Sequence, residues 1–372
     1  MFNIVIIGGN LAGASAAINA SIKIKNVALV ERHEEPIFPA HCGEGLADVT
    51  ADFLELDKIG CYKNQINNVE IDVSKMKKYT FKLRKHKMYI FDRNFLEKKL
   101  LKKAEKNGVE LFTGISMRGF NPPNEIVLDN DMIKGKLIID ASGIACQVGR
   151  RMGIKTRLQP EDVGVCIQSR VESNFKDDTI KMWYHKPYAP FGYAWLFPVN
   201  KNMANIGLGI PGGQKLDLSK LLNEYISYIV NSNYNIVNTF RSCVPSSLPL
   251  QNLTKDNVMF VGDAARLADA ALGGGIQNAI FSGSLAGTIA ADYIKGKISS
   301  LNVYQKAMEY KTDRLRKAYY RKSKLTTDEK FIKAYKRAFL MLSFLDRASP
   351  NLLENRVAKI MKKDISIFEQ FQ

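Results

Sequence analysis

The sequence predicts an α/β protein, α+β overall, with a discontinuous parallel-sheet domain, an inserted antiparallel-sheet domain and a helical C-terminal tail. Short, continuous apolar runs typical of strands buried on both faces of a parallel sheet occur at 2–7, 27–30, 137–139 and 258–261. Between residues 155 and 250, short alternating segments are separated by Pro, Gly and Asn, which is typical of an antiparallel sheet. From residue 303 onwards the pattern is mostly helical.

The segments after the first apolar run complete a β-α-β unit. Residues 11–22 are rich in Ala and other small residues, which predicts a helix packed closely against the sheet before the strand at 27–30. An amphipathic helix is predicted at 94–106, and Asp92 is suited to cap its N-terminus. A second small-residue helix is predicted at 276–293, after the chain has returned to the first domain.

The composition is that of an ordinary globular protein, with 46% hydrophobic and 24% charged residues, which excludes a disordered or fibrous chain. No apolar run reaches the roughly 18 residues that would span a bilayer, and the chain opens on a strand-like segment instead of a signal peptide. We therefore expect a cytoplasmic protein. The cysteines show neither a CxxC pair nor a metal-like spacing, so we expect no metal site: Cys42, Cys61, Cys146, Cys166 and Cys243.

The formal charge of +17 is concentrated in two stretches. Residues 73–106 hold 13 Lys or Arg against 3 acidic residues, and residues 311–372 hold 16 against 7. Such runs are often solvated helix faces. The alternative is attraction to an anionic surface, either lipid headgroups or nucleic acid.

A glycine-rich turn lies where the first strand becomes a helix, at Gly8-Gly9-Asn10-Leu11-Ala12-Gly13, and Glu31 closes the second strand 18 residues after Gly13. This is the arrangement of a Rossmann-like dinucleotide site. Gly8 permits a tight turn, Gly13 lets helix and strand approach, and the helix N-terminus attracts a pyrophosphate. Asn10 replaces the glycine usually found there, and its side chain is expected to crowd the pyrophosphate.

Two later strand ends, 137–143 and 258–265, carry an acid beside small residues. Together with the fingerprint they resemble the FAD-dependent family that includes aromatic hydroxylases and geranylgeranyl reductases. The resemblance implies FAD as cofactor and gives Gly262 and Asp263 the ribityl and pyrophosphate region. The segment 91–96 resembles the family's Asp-Arg helix start, which places Arg93 on the cofactor side. The cofactor-binding residues expected in full are Gly8, Gly9, Ala12, Gly13, Glu31, Arg32, Cys42, Gly43, Arg93, Gly143, Gly262, Asp263, Gly274, Gly275 and Ile276.

The three glycines at 273–275 precede the predicted small-residue helix. Their backbone N–H groups and the helix dipole are suited to face the electron-rich end of a reduced flavin. Geranylgeranyl reductases usually carry an Asn-Pro pair shortly before these glycines, whereas this chain has Asp269-Ala270.

Two motifs resemble geranylgeranyl reductases in particular. Pro39-Ala40-His41-Cys42-Gly43-Glu44-Gly45-Leu46 resembles the Cys-containing loop of the archaeal enzymes, which lies near the flavin ring. Residues 190–198 with Asn205-Ile206-Gly207 resemble the family's Tyr-x-Trp-x-Phe-Pro signature and its downstream Asn-Val-Gly. Strand alternation places Tyr193, Trp195 and Phe197 on one face, as an apolar wall for substrate. A well-packed sheet face is the alternative reading of the same pattern.

The resemblance implies that reduced flavin gives hydride to an alkene of a geranylgeranyl chain in a membrane-lipid precursor, while a proton is added to the neighbouring carbon. The catalytic residues expected are Cys42, Tyr193 and Trp195, with Cys42 as first and Tyr193 as second candidate for the acid. The electron donor stays open between a ferredoxin, a reduced deazaflavin and NAD(P)H. Two rivals are a flavin monooxygenase of the same fold and a basic, non-catalytic nucleic-acid-binding protein.

The expected domain division assigns 1–72, 88–155 and 251–300 to the FAD-binding domain, 73–87 and 156–250 to the substrate domain, and 301–372 to the tail. An isoprenoid lipid substrate and the two basic stretches together predict a protein peripheral to the inner face of the cell membrane, docked on anionic lipid, with no nucleic-acid partner. Phe339 and Leu342 are expected to pack mainly on the FAD-binding domain.

Overall fold

The computed structural model describes residues 1–35, 41–54, 56–73, 78–85, 87–184, 186–348 and 352–371. The strands are β1 Phe2–Ile7, β2 Val27–Glu31, β3 Gly45–Ala47, β4 Tyr62–Ile66, β5 Asn68–Asp72, β6 Lys78–Lys82, β7 Met88–Phe91, β8 Val109–Thr113, β9 Gly119–Asn121, β10 Glu125–Val127, β11 Met132–Asp140, β12 Val163–Glu172, β13 Thr179–Trp183, β14 Tyr193–Asn200, β15 Met203–Pro211, β16 Asn235–Pro245, β17 Thr254–Lys255 and β18 Val258–Phe260. The helices are α1 Leu11–Lys23, α2 Asp48–Phe53, α3 Leu56–Ile59, α4 Arg93–Lys106, α5 Gln147–Arg151, α6 Leu218–Ile229, α7 Ile276–Ile294, α8 Asn302–Ser323, α9 Asp328–Ala348 and α10 Leu352–Glu369.

The first sheet has the strand order β17-β18-β11-β1-β2-β8, and a hairpin of β9 and β10 extends from β11. Strands β18, β11, β1, β2 and β8 run parallel, which confirms the strands expected from the continuous apolar runs. At its centre Ile6 pairs with both Leu29 and Ile139, and all three side chains are fully buried. The carboxyl ends of these parallel strands lie at one edge of the sheet, where ligands of such folds bind.

Helices α1 and α7 pack together at backbone contact. A Cβ added at Gly283 would overlap the carbonyl oxygen of Ala12, and one added at Gly287 would overlap that of Ala16. The small residues of α1 therefore allow close packing against α7, whose own glycines complete the contact. Both helices are buried over most of their length.

The second sheet has the order β16-β12-β15-β14-β13-β5-β6, antiparallel except for the parallel pair β13 and β5. Asn68–Asp72 pairs with Lys78–Lys82, so hydrogen bonding places β5 in this sheet and not with the first domain. The boundary of the first domain, expected at residue 72, is therefore placed before Asn68. The remaining division into domains stays our proposal.

The C-terminal tail is three helices, α8 to α10. A buried ion pair between Lys311 of α8 and Asp364 of α10, with an Nζ–Oδ2 distance of 2.6 Å, joins two of them. Phe339 of α9 packs against Tyr79 of β6 and Tyr184, which follows β13, so the expectation that it packs on the FAD-binding domain is corrected. None of the helices in the described ranges is long and apolar enough to cross a membrane.

Candidate functional site

A cavity of about 850 Å³ runs from the carboxyl ends of the parallel strands to the face of the second sheet. It brings together most of the residues expected from the sequence: Gly8, Gly9, Ala12, Glu31, Arg32, Cys42, Gly43, Arg93, Gly143, Asp263, Gly274, Gly275 and Ile276, with Tyr193, Trp195 and Phe197. Gly13 and Gly262 do not line it. They lie beneath its floor, where small size allows close packing: a Cβ at Gly13 would overlap the Gly8 carbonyl oxygen, and one at Gly262 would lie 3.0 Å from Ala12 Cβ.

Asn10 acts as the N-cap of α1. Its Oδ1 accepts hydrogen bonds from the backbone N–H groups of Ala12 at 3.0 Å and Gly13 at 3.4 Å, and its Nδ2 donates to the Ala141 carbonyl at 2.7 Å. Its φ of −73° is ordinary, so no unusual backbone is needed. The side chain turns towards β11 and the helix terminus, and it fixes the turn while satisfying two helix-terminal donors.

Glu31 reaches the cavity from the end of β2. Its carboxylate accepts from the Gly9 N–H at 2.6 Å and from both the backbone N–H and the ring of His33. Gly9 admits this contact because a Cβ there would lie 3.0 Å from the Glu31 Cβ. The acid therefore ties the fingerprint turn to β2, and its Oε2, which accepts only from Gly9, has capacity for a further hydrogen bond.

The ends of β11 and β18 form two tight turns at the cavity. Asp140 is fully buried and accepts from the N–H groups of Val148 at 2.9 Å and Gly149 at 3.1 Å, which secures the loop carrying Gly143. Gly143 has φ +69°, and an added Cβ would meet no protein atom within 4 Å. Burial raises the pKa of Asp263, against the opposing effect of the Arg93 charge.

The glycine turn before α7 is organised by Asp269. Its Oδ1 accepts from the N–H groups of Ala271 at 2.9 Å and Leu272 at 3.0 Å. Asp269 thus shapes this turn. An added Cβ at Gly274 would meet no protein atom within 4 Å, so the turn presents bare backbone to the cavity.

The aromatic side chains of β14 form one wall of the cavity. Ring centroids are 5.6 Å apart for Tyr193 and Trp195 and 6.4 Å apart for Trp195 and Phe197, and the rings are tilted by 52° and 44°. The Trp195 ring covers Gly207 on β15, where a Cβ would overlap the indole, which explains the glycine of the Asn-Ile-Gly segment. The Tyr193 hydroxyl donates to the Leu272 carbonyl at 2.6 Å, and burial raises the pKa of that phenol.

Cys42 lines the same cavity, in the loop that precedes β3. Its half-buried thiol accepts a hydrogen bond from the Glu44 N–H at 3.2 Å. Burial raises the pKa of Cys42, and the Arg93 charge opposes this increase without cancelling it. The thiol is therefore protonated at neutral pH. Pro39 and Ala40 of the same motif lie outside the described residues.

Arg93 is the first residue of α4. Asp92 caps this helix, as expected, by accepting a hydrogen bond from the Phe95 N–H at 2.9 Å. The Arg93 Nε is 3.0 Å from Glu97 Oε1, and although burial lowers the pKa of Arg93, the Glu97 carboxylate and the other groups beside it raise the pKa overall. The guanidinium stays charged beside the thiol.

Sequence reasoning missed a polar cluster behind the Cys42 loop, formed by Glu44, Gln168, Arg170 and Asn205. Arg170 pairs with Glu44, whose Oε2 also accepts from Asn205 Nδ2 at 2.9 Å. The signal available was the presence of Glu44 and Asn205 inside the two quoted motifs. Gln168 and Arg170 give no signal of their own, because polar residues on an alternating strand normally face solvent.

Across the described ranges, no group of three or more His, Cys, Asp or Glu side chains is arranged to hold a metal ion.

Comparison with known proteins agrees with this geometry. Residues 162–244 match the geranylgeranyl reductase catalytic domain. The chain is 30% identical over 322 residues to digeranylgeranylglycerophospholipid reductase 1 of Methanococcoides burtonii, covering 82% of this chain and 78% of that protein.

The structure resembles a geranylgeranyl bacteriochlorophyll reductase-like protein of Thermoplasma acidophilum, with a TM-score of 0.79 and 25% identity, covering 89% of this chain and 90% of that one. A flavin-dependent brominase shares the fold, with a TM-score of 0.73 at 15% identity over 100% of this chain and 94% of that one. Since the Methanococcoides relative is matched over most of both chains, this protein belongs to the geranylgeranyl reductase family.

Proposed function

We propose that this protein is a flavin-dependent reductase that saturates carbon–carbon double bonds in the geranylgeranyl chains of a glycerophospholipid. The observation that carries the proposal is one cavity in which a dinucleotide fingerprint, a protonated cysteine beside an arginine, and an aromatic wall come together. The names of the relatives support the reaction and the substrate class. The same names favour this function over a hydroxylase of the same fold.

The residues present fit FAD. Gly143 and Gly274 leave open space where side chains would otherwise fill a cradle, and Glu31 has hydrogen-bonding capacity at the expected ribose position. The turn at 8–13 would hold the pyrophosphate, Asp263 the ribityl region, and the glycine turn before α7 the flavin ring. The bound reduced flavin would supply a hydride to the alkene.

The chain's own part in the reaction is to hold the alkene and deliver a proton. Cys42 fits the proton donor because its thiol is kept protonated by burial, and the thiolate left after transfer is stabilised by the Arg93 charge. Tyr193 fits this role less well, since its hydroxyl proton is donated to the Leu272 carbonyl. Tyr193, Trp195 and Phe197 would hold the isoprenoid chain and exclude water.

We further propose that the protein docks on the anionic inner surface of the cell membrane through α9. The cavity-facing side of this helix contributes Phe331 and Tyr335. Its opposite side exposes Leu340, Met341 and Phe344, which are 52%, 59% and 69% exposed, and carries three exposed cations at Lys330, Lys333 and Arg337. A helix with these two features is suited to lie in a lipid interface. Substrate would then enter the cavity from the membrane beside α9.

The class of reaction is tested by oxygen dependence. A reductase consumes the alkene substrate under anaerobic conditions after chemical reduction of the bound flavin. A hydroxylase requires oxygen and adds an oxygen atom to its substrate, and that result would reject the proposal. Comparing reduced ferredoxin, a reduced deazaflavin and NAD(P)H as reductants in the same assay identifies the electron donor.

A further inference from the structure

The loop that carries Cys42 is held by the second sheet through its backbone. The Cys42 carbonyl accepts from Gln168 Nε2 at 3.0 Å, the Gly43 carbonyl from Asn205 Nδ2 at 3.3 Å, and the Glu44 carbonyl from the Phe91 N–H at 3.1 Å. Three consecutive carbonyls are thus fixed, two of them by side chains of the second sheet. Buried Gln168 and Asn205 are 2% and 0% exposed, so water does not compete for these bonds.

The Glu44 side chain connects the loop to the same sheet a second time. Its Oε2 is paired with Arg170 and accepts from Asn205, while its Oε1 accepts from the Arg93 N–H at 3.3 Å. Arg170 also donates from Nε to Asn205 Oδ1 at 3.1 Å, which orients the amide. The Glu44 carboxylate is buried, and each of its two oxygens has a hydrogen-bonding partner.

The loop does not adopt this shape without support. Glu44 has φ +64°, a left-handed conformation that a residue with a side chain rarely adopts. Gly43 lies so close to the aromatic wall that an added Cβ would be 3.0 Å from the Phe197 ring. The Trp195 indole N–H donates to Gln168 Oε1 at 2.9 Å, so the wall itself orients the amide that holds Cys42.

We propose that Glu44, Gln168, Arg170 and Asn205 form a positioning cluster that fixes the loop carrying the Cys42 thiol, and so orients the thiol for proton delivery. The inference rests on the function proposed above, which gives Cys42 its role. The four residues would act through the loop: Glu44 and Gln168 border the cavity, whereas Arg170 and Asn205 do not line it. Because the reacting atoms must be placed within a fraction of an ångström, loosening the loop lowers turnover more than it lowers substrate binding.

The test uses Gln168→Met and Arg170→Met in the full-length, flavin-loaded protein, with Arg241→Met as the matched control. Arg241 is an exposed arginine on neighbouring β16 that bonds Ser219 Oγ at 2.8 Å, outside the cavity. The first readout is the rate of Cys42 alkylation by iodoacetamide between pH 7 and pH 10, followed by peptide mass spectrometry. Cys146 in the same sample is 3% exposed and does not line the cavity, so its alkylation reports on loss of the fold.

Releasing the loop exposes the thiol to water, so both variants should alkylate Cys42 about tenfold faster at neutral pH, with a pH profile moved towards that of an ordinary thiol at about 8.5. The control variant should match the wild type, and Cys146 should stay unreactive in every variant. The second readout is turnover, in which kcat should fall about 100-fold with KM changed by less than about threefold.

Alkylation rate and pH profile equal to wild type in Gln168→Met would overturn the positioning role, whatever happens to turnover. If Arg170→Met does not fold, Gln168→Met decides alone. The alkylation readout needs no substrate, so it tests the positioning cluster even where the reductase assay fails. A wild-type protein that reduces no alkene instead counts against the proposed function.

Discussion

The positive charge of Arg93 lowers the pKa of the Cys42 thiol against the larger effect of burial, and the Arg93 guanidinium pairs with Glu97, with an Nε–Oε1 distance of 3.0 Å. This places a permanent positive charge beside a cysteine that burial keeps protonated. A proton donor requires both properties, since the proton must be present before the reaction and the resulting thiolate must be tolerated after it.

Replacing Cys42 therefore affects chemistry and not cofactor binding. Cys42→Ala should retain flavin while turnover falls about 100-fold or more, the usual contribution of a general acid. The turnover of Cys42→Ser should fall similarly because a hydroxyl is a much weaker acid than a thiol. Turnover and flavin content measured on the same preparation check this, and an unchanged rate in Cys42→Ala would remove the thiol from the mechanism.

The charge of Arg93 makes a separate prediction about pH. Because Arg93 lowers the pKa of Cys42 against the effect of burial, Arg93→Met should move that pKa further up. Alkylation of Cys42 at pH 9 should then be slower than in the wild type. Lys102→Met, an exposed position on the same helix, serves as the control and should leave the rate unchanged.

Gly13 is predicted to be irreplaceable for a packing reason. A Cβ there overlaps the Gly8 carbonyl oxygen, so Gly13→Val must separate α1 from β1 and should cost about 4 kcal/mol or more. The protein should be recovered without flavin or not at all. Ile22→Ala, at a side chain that is 68% exposed on the same helix, should bind flavin normally. A fully flavin-loaded Gly13→Val variant would show that this turn is misassigned.

The buried pair of Lys311 and Asp364 predicts a pH-dependent loss of stability. Burial raises the pKa of Asp364 to about 7, and Lys311→Met leaves this carboxyl without its cation. Removing one partner of a buried pair costs about 3–5 kcal/mol. A carboxyl whose pKa is raised by folding stabilises the protein at low pH, and this contribution is lost as the pH rises. The destabilisation caused by Lys311→Met should therefore be small near pH 4 and increase through pH 7. Denaturant unfolding at several pH values measures it.

Lys306→Met, at an exposed lysine on the same helix α8, is the control for that experiment and should change stability by less than about 0.5 kcal/mol. A loss for Lys311→Met that is independent of pH would contradict the assignment of Asp364 as the titrating group.

Membrane docking predicts binding to anionic vesicles that decreases as salt rises. Each lysine or arginine near the surface contributes about 1 kcal/mol, screened over about 8 Å at physiological salt. The double variant Met341→Ser/Phe344→Ser should bind about tenfold more weakly in liposome flotation. Tyr320→Ser on α8, at a side chain that is 55% exposed, is the control and should bind like wild type. Equal binding to neutral and anionic vesicles would reject the proposed electrostatic attraction to anionic lipid.

The features that could be predicted from the sequence are those that depend on local patterns of residues. The apolar run at 2–7 matches β1, and the small residues from Leu11 onwards form a helix buried on most sides. The Tyr193–Trp195–Phe197 alternation places all three rings at the cavity, because strand geometry fixes which side chains share a face.

The parts that escaped prediction depend on contacts distant in sequence. Arg170 meets Glu44 across 126 residues, and no local pattern marks that pair. Gly262 sits on a strand end like a ligand-binding glycine but serves helix packing, because Ala12 and Ala279 lie against it. The parallel pairing of β5 with β13 likewise could not be read from the alternation of β5 alone.

Reduction of the lipid is measured by the mass of a geranylgeranyl glycerophospholipid after anaerobic incubation with the protein, whose flavin has been reduced chemically. We expect a gain of two hydrogen atoms for each double bond saturated, and no such gain with Cys42→Ala although that variant keeps its flavin. Lipid recovered with unchanged mass from flavin-loaded, fully reduced wild-type protein would contradict the proposed function.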